Sequence, residues 1–119
     1  DVDLLFLDIE KKMIYYRELK TNIELDTEKL PATSDKVKLL SKHLEKTYPD
    51  CTLDFGILCL SVFDQKNLTQ NKMKSKIRQF ESSGVKITFA NDIFKTLSLT
   101  ITEQEYYKFW RQIGKILRS

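Results

Sequence analysis

Asp3, Glu18 and Lys20 are of the residue types that together hold a divalent cation and hydrolyse a phosphodiester. They lie in two short segments, Asp1–Asp8 and Met13–Lys20, both rich in strand-forming residues and joined by the polar Ile9–Lys12. A symmetric turn sets Leu7 opposite Ile14, Leu5 opposite Tyr16, Asp3 opposite Glu18 and Asp1 opposite Lys20. Opposed residues of an antiparallel pair have Cβ atoms roughly 4.5 to 5.5 Å apart, so Asp3 and Glu18 share a face. Period-2 alternation then puts Lys20 on the same face as Glu18.

Adjacent carboxylates repel, and a cation between them removes the repulsion. Magnesium prefers a few hard oxygens together with waters and substrate phosphate, which suits two carboxylates and one backbone carbonyl. Leu19 is placed to supply that carbonyl. Lys20 would orient the attacking water and neutralise charge building on the phosphate. A simpler arrangement competes with this one: Asp3 and Glu18 as solvated hairpin residues, with Lys20 salt-bridged to either. Asp1, one step along the same face, rivals Asp3 as the first ligand. Asp8 sits at the turn end, roughly 17 Å along the strand from Glu18 at 3.3–3.4 Å per residue, too far to share a metal.

The elements that must position these residues follow the hairpin. Residues 23–33 are polar, contain Pro31 and read as a connection. Ser34 fits a helix cap, and Val37, Leu40 and Leu44 form an apolar stripe ending near Tyr48-Pro49. Leu53 to Phe63 is a nearly unbroken apolar run, expected as a buried strand closed by Asp64 to Asn67. Met73, Ile77 and Phe80 recur at helical spacing over 69–82, and Gly84 terminates that helix. Val85, Ile87 and Phe89 alternate as a strand, completing a crossover that implies a parallel pair. Asn91 opens a short helix. Thr102-Glu-Gln-Glu105 is a capping-box pattern before a last helix with Tyr106, Phe109, Trp110, Ile113 and Leu117 inward. The expected fold is α/β: a mixed β-sheet, with an N-terminal antiparallel hairpin and a parallel βαβ crossover, flanked by helices.

A chain of 119 residues with 41% hydrophobic content supports one domain with a real core. Twenty basic and 17 acidic residues leave a net charge of +3, so the distribution of charge matters more than its total. Lys72 pairs with Lys76 and Lys74 with Arg78 on helix faces, and Lys108, Arg111, Lys115 and Arg118 line the last helix; such rows can track phosphates or simply be solvated. Lys29, Lys36 and Lys38 follow the Glu18-Leu-Lys20 strand closely and are the best candidates for DNA phosphate contacts, with Thr33 and Ser34 adding hydrogen bonds. Glu24 and Glu28 are candidates to assist a second metal. His43 has no positioned partner for acid/base work. Tyr15 and Tyr16 are more naturally packing residues than base-stacking ones. Three scattered glycines exclude a Gly-rich phosphate loop. Cys51 and Cys59 lack Cys-x-x-Cys spacing and are expected to be reduced thiols, as in the cytoplasm. No segment approaches the roughly 20 apolar residues of a membrane span, and no signal-peptide pattern is present.

The stretch Tyr15-Tyr-Arg-Glu-Leu-Lys-Thr-Asn-Ile-Glu-Leu-Asp-Thr-Glu-Lys29, preceded by Val2-Asp-Leu-Leu-Phe6, resembles the PD-(D/E)XK nuclease superfamily, and within it the catalytic segment of type II restriction endonucleases. The resemblance covers the first quarter of the chain well and the remainder only by element order. It implies Asp3 as the first metal-binding carboxylate, Glu18 as the second and Lys20 as the catalytic lysine. No Pro precedes Asp3, which departs from the family pattern. The resemblance further implies a restriction-endonuclease-like core over 1–119, lacking an upstream helix and strand. The expected activity is magnesium-dependent hydrolysis of double-stranded DNA by a homodimer matching a palindromic site. A repair or recombination nuclease of the same superfamily, or a non-enzymatic DNA-binding module, are the alternatives.

Overall fold

A computed structural model describes residues 3–21, 30–69 and 71–118. Asp1, Glu24, Glu28 and Lys29 lie outside the described residues. Strands β1 (Leu4–Asp8) and β2 (Met13–Lys20) form the hairpin, with Leu5 opposite Tyr16 and Leu7 opposite Ile14 as the symmetric turn requires. The turn is held by Asp8 Oδ1, which accepts the Lys11 N–H at 3.1 Å, and by Lys12 in the left-handed region at φ 52°.

Helix α1 (Leu30–Thr47) begins a full turn before the expected cap at Ser34. Pro31 explains the early start, because in a first helical turn its fixed φ is already suitable and its missing N–H has no partner to lose. Ser34 is therefore inside the helix and buried, sharing a hydrogen bond with the Ser83 hydroxyl at 2.8 Å. The stripe is as expected, with Val37 and Leu44 buried and Leu40 partly so.

Strand β3 (Thr52–Cys59) is shorter than its apolar run, for the chain turns at Leu60 and Ser61 and delivers Phe63 to a separate cluster. Helix α2 (Asn71–Ser82) ends in a Schellman motif: Gly84 N–H donates to Glu81 O at 3.0 Å and Val85 N–H to Phe80 O at 3.1 Å. Gly84 takes φ +92°, which a side chain would strain. The regular part of β4 (Ile87–Phe89) starts two residues later than the alternation suggests, although Val85 is buried. Helix α3 (Ala90–Thr96) follows directly, its start marked by Asp92 Oδ2 accepting the Phe89 N–H at 2.8 Å. Helix α4 (Glu103–Arg118) carries the expected capping box: Thr102 N–H donates to Glu105 Oε1 and Glu105 N–H to Thr102 Oγ1, both at 3.1 Å.

The four strands lie in the order β1-β2-β3-β4, antiparallel across β1-β2 and parallel thereafter. The chain thus makes two parallel crossovers, through α1 and α2, where the sequence announced only the second. Alternation puts Tyr16, Ile57, Cys59 and Phe89 on one face, where they pack with Val37 and Leu44 of α1 and Met73, Ile77 and Phe80 of α2. Phe63, Ala90 and Tyr106 build a second cluster with Phe94, Ile101 and Tyr107.

The last helix departs from expectation. Its first turns are anchored by the Tyr106 hydroxyl donating to Leu60 O and by the Tyr107 hydroxyl accepting the Phe63 N–H at 3.0 Å. Beyond that turn Phe109 is 55% and Trp110 37% exposed, so the apolar stripe continues past the surface available to cover it. Both border an apolar cleft of about 480 Å³ that also reaches Leu58 and Phe94. The side chain of Leu117 lies outside those described. Among the described residues, no helix is long and apolar enough to cross a membrane.

Candidate metal and phosphate site

The hairpin register places Leu4 opposite Arg17, and one further step sets Asp3 beside Glu18. Asp3 lies just before the regular strand, held to β2 by Oδ2, which accepts the Leu19 N–H at 3.0 Å. Leu19 thus joins the site through its N–H. Lys20 follows on the Glu18 face, opposite Cys59 on β3, and is itself engaged in an interaction. The hairpin therefore brings Asp3, Glu18 and Lys20 to one end of one face.

Glu18 is only 6% exposed. Its Oε1 accepts from Lys36 Nζ at 2.9 Å, and its Oε2 from the Tyr16 hydroxyl at 3.3 Å. Tyr16 is two residues back on the same face and fully buried. Burial foremost, then the charge of Glu18 and its hydrogen bond, and lastly the charge of Asp3, push the Tyr16 pKa well above its ordinary value, so the phenol stays a neutral donor. The hydrogen bond to Glu18 raises the Lys36 pKa, desolvation opposes it, and the charges of Glu18 and Asp3 add to the rise. Lys36 and Tyr16 thus both sense the two carboxylates.

Among the described residues, the remaining predicted phosphate contacts do not gather here. Lys36 and Lys38 are two positions apart on α1, about 200° around the helix. Lys38 accordingly lies along Gly84, whose added Cβ would be 3.4 Å from Lys38 Cε. Thr33 and Ser34 are buried and unsuited to phosphate. On α2, Lys76 is buried too, with Nζ 3.5 Å from Gln79 Oε1, so Lys72 and Lys76 do not form an open row. Tyr15 stacks on Phe6 with ring centroids 4.7 Å apart, and Tyr16 is a core residue, as packing predicted.

Two partners of Glu18 escaped the sequence reading. Tyr16 was legible in principle, because a residue two before a strand carboxylate shares its face. Lys36 stood out only as a lysine near the strand; its pairing with Glu18 depends on where α1 crosses the sheet.

Among the described residues, no group of three or more His, Cys, Asp and Glu is arranged to hold a metal. The available donors are the two carboxylates and nearby backbone oxygens, a hard and sparse set. It fits magnesium, which keeps several waters, far better than zinc, which needs three or four protein ligands. Comparison of the chain with family models, curated proteins and solved structures gave no match.

Proposed function

We propose that this chain is a magnesium-dependent endonuclease acting on double-stranded DNA, of the type II restriction endonuclease kind within the PD-(D/E)XK superfamily. One observation carries the reading. Asp3, pinned by the Leu19 N–H at 3.0 Å, stands beside the nearly buried Glu18, and Lys20 lies one step along the same face. Asp3, Glu18 and the Leu19 carbonyl would hold the ion. When bound, magnesium polarises a phosphate oxygen and lowers the pKa of a water. Lys20 would orient an attacking water for in-line displacement of the 3′-oxygen, leaving a 5′-phosphate and a 3′-hydroxyl. Lys36, beside Glu18, contributes phosphate affinity that carries no sequence information. A homodimer in the cytoplasm, cutting both strands of a palindromic site, completes the proposal.

Incubation with a mixed-sequence plasmid, with magnesium or with chelator, followed by sequencing of fragment ends, tests the reading. Metal-dependent ends sharing a short motif are the expected result. Cutting confined to branched or nicked DNA would transfer the same site to a repair or recombination nuclease. The Lys36–Glu18 ion pair favours one reading of another class, a DNA-binding module whose carboxylate is purely structural. Binding without cleavage, unaffected by magnesium or by Glu18→Ala, would establish that module instead.

A further inference from the structure

The two oxygens of Glu18 face different surroundings. Oε2 points to the hydroxyl of Tyr16, which has no solvent exposure, while Oε1 points to Lys36, whose side chain is 42% exposed. A cation arriving from solvent therefore meets Glu18 at Oε1, where an ammonium already stands at 2.9 Å. Magnesium bonds oxygen at roughly 2.0–2.1 Å, so both cations on that oxygen would lie within a few ångströms of each other at low local dielectric. The two cations therefore compete for that oxygen. Lys36 can leave without moving α1, because its charge sits on a flexible four-carbon stem. Tyr16 keeps its place in either state and holds the carboxylate in a fixed orientation.

We propose that Lys36 is an internal counter-ion occupying the magnesium position on Glu18, and that magnesium binding proceeds by exchange with its ammonium group. This rests on the metal reading above. In the metal-free protein the lysine spares Glu18 the penalty of an unpaired, nearly buried charge. In the metal-bound protein the released ammonium lies beside the site, within reach of a DNA phosphate. Lys36 is thus a positioning residue whose two roles follow one another.

The test uses Mn2+ as the probe, with free ion followed by its paramagnetic resonance signal, on wild type, Lys36→Met, Lys36→Arg and Glu18→Gln. Exchange predicts that Lys36→Met binds Mn2+ about tenfold more tightly than wild type, that Lys36→Arg does not, and that Glu18→Gln abolishes binding. Equal or weaker binding by Lys36→Met, with binding still abolished by Glu18→Gln, overturns exchange and leaves the metal site standing. Binding unaffected by Glu18→Gln, or absent from wild type, removes the metal site and the exchange with it. A wild-type measurement guards against misfolding of Lys36→Met: the ammonium 1H–15N signal of Lys36, protected in the metal-free protein, should be lost to solvent exchange on saturation with Mg2+. Its persistence at saturation would refute exchange.

Discussion

Arg17 and Glu18 are neighbours on β2, oppositely charged and both nearly buried, at 3% and 6% exposure, yet they point to opposite faces of the sheet and are held in different ways. Arg17 makes four hydrogen bonds: Nε to Thr88 Oγ1 at 3.1 Å, one terminal nitrogen to the Tyr16 and Asp54 carbonyls at 2.9 Å each, and the other to Asp54 Oδ1 at 2.8 Å. These partners belong to β2, β3 and β4, so the guanidinium ties three strands together. Glu18 instead relies on one buried phenol and the tip of a half-exposed lysine. A charge satisfied by strands is fixed when the sheet forms. One satisfied by a mobile side chain can change partners, as a site that takes up a cation requires.

Substitutions at the two residues should have opposite consequences. Glu18→Gln is expected to lower DNA cleavage by about a thousandfold, measured as plasmid nicking at the magnesium concentration that saturates wild type. The amide keeps its shape and can still accept from Tyr16, so the unfolding free energy should change by no more than about 1 kcal/mol. Lys20→Ala should produce a similar loss of cleavage with little change in stability. Arg17→Met is the reverse case: a loss of about 3 kcal/mol in urea unfolding, because Asp54 is left with Lys86 alone, and cleavage per folded molecule close to wild type. A stable Arg17→Met protein lacking activity would move Arg17 into the site.

The two faces were unequally legible. The hairpin register followed from a symmetric turn and alternation, and it put Asp3 beside Glu18 without knowledge of the helices. The early start of α1 was hidden because Pro31 can be read as either a loop residue or a first-turn residue. Contacts far apart in sequence left no local trace: Lys36 reaches Glu18 across 18 residues, and Arg17 reaches Thr88 across 71. The exposed Phe109 and Trp110 show a limit of another kind, since helical spacing identifies an apolar stripe but does not say how far the body beneath it extends.

Gly56 belongs to the Arg17 face. It stands opposite Arg17 in the β2-β3 register, and an added Cβ would meet Lys86 O at 2.6 Å. That carbonyl accepts the Ile57 N–H at 2.9 Å, so it cannot retreat without loosening β3 from the residue leading into β4. Gly56→Ala should cost about 2 kcal/mol, read as a lowered denaturant midpoint, while metal binding at Glu18 is retained. Loss of both together would show that the two faces are mechanically coupled.

The smallest effect separates the faces by pH. Burial acts to raise the Asp54 pKa, but hydrogen bonds and charge from Lys86 and Arg17 outweigh it and hold the carboxyl below its ordinary value. A depressed folded pKa contributes stability that is present above the unfolded value of about 3.9 and lost as pH falls through the folded value. Asp54→Asn should therefore flatten the stability profile below about pH 4 and leave the alkaline limb unchanged. Lys36 and Tyr16 have the opposite sign. Their folded pKa values are raised, so their contributions are complete below about pH 10 and fade as pH rises further. Lys36→Gln should soften the alkaline limb, because it removes one of these groups and leaves the Arg17–Asp54 pair intact. Stability measured by denaturant titration from pH 2 to 11 would display both effects in one experiment. Movement of the alkaline limb in Asp54→Asn would mean that the charges communicate through β2, and that Arg17 and Glu18 form one electrostatic unit.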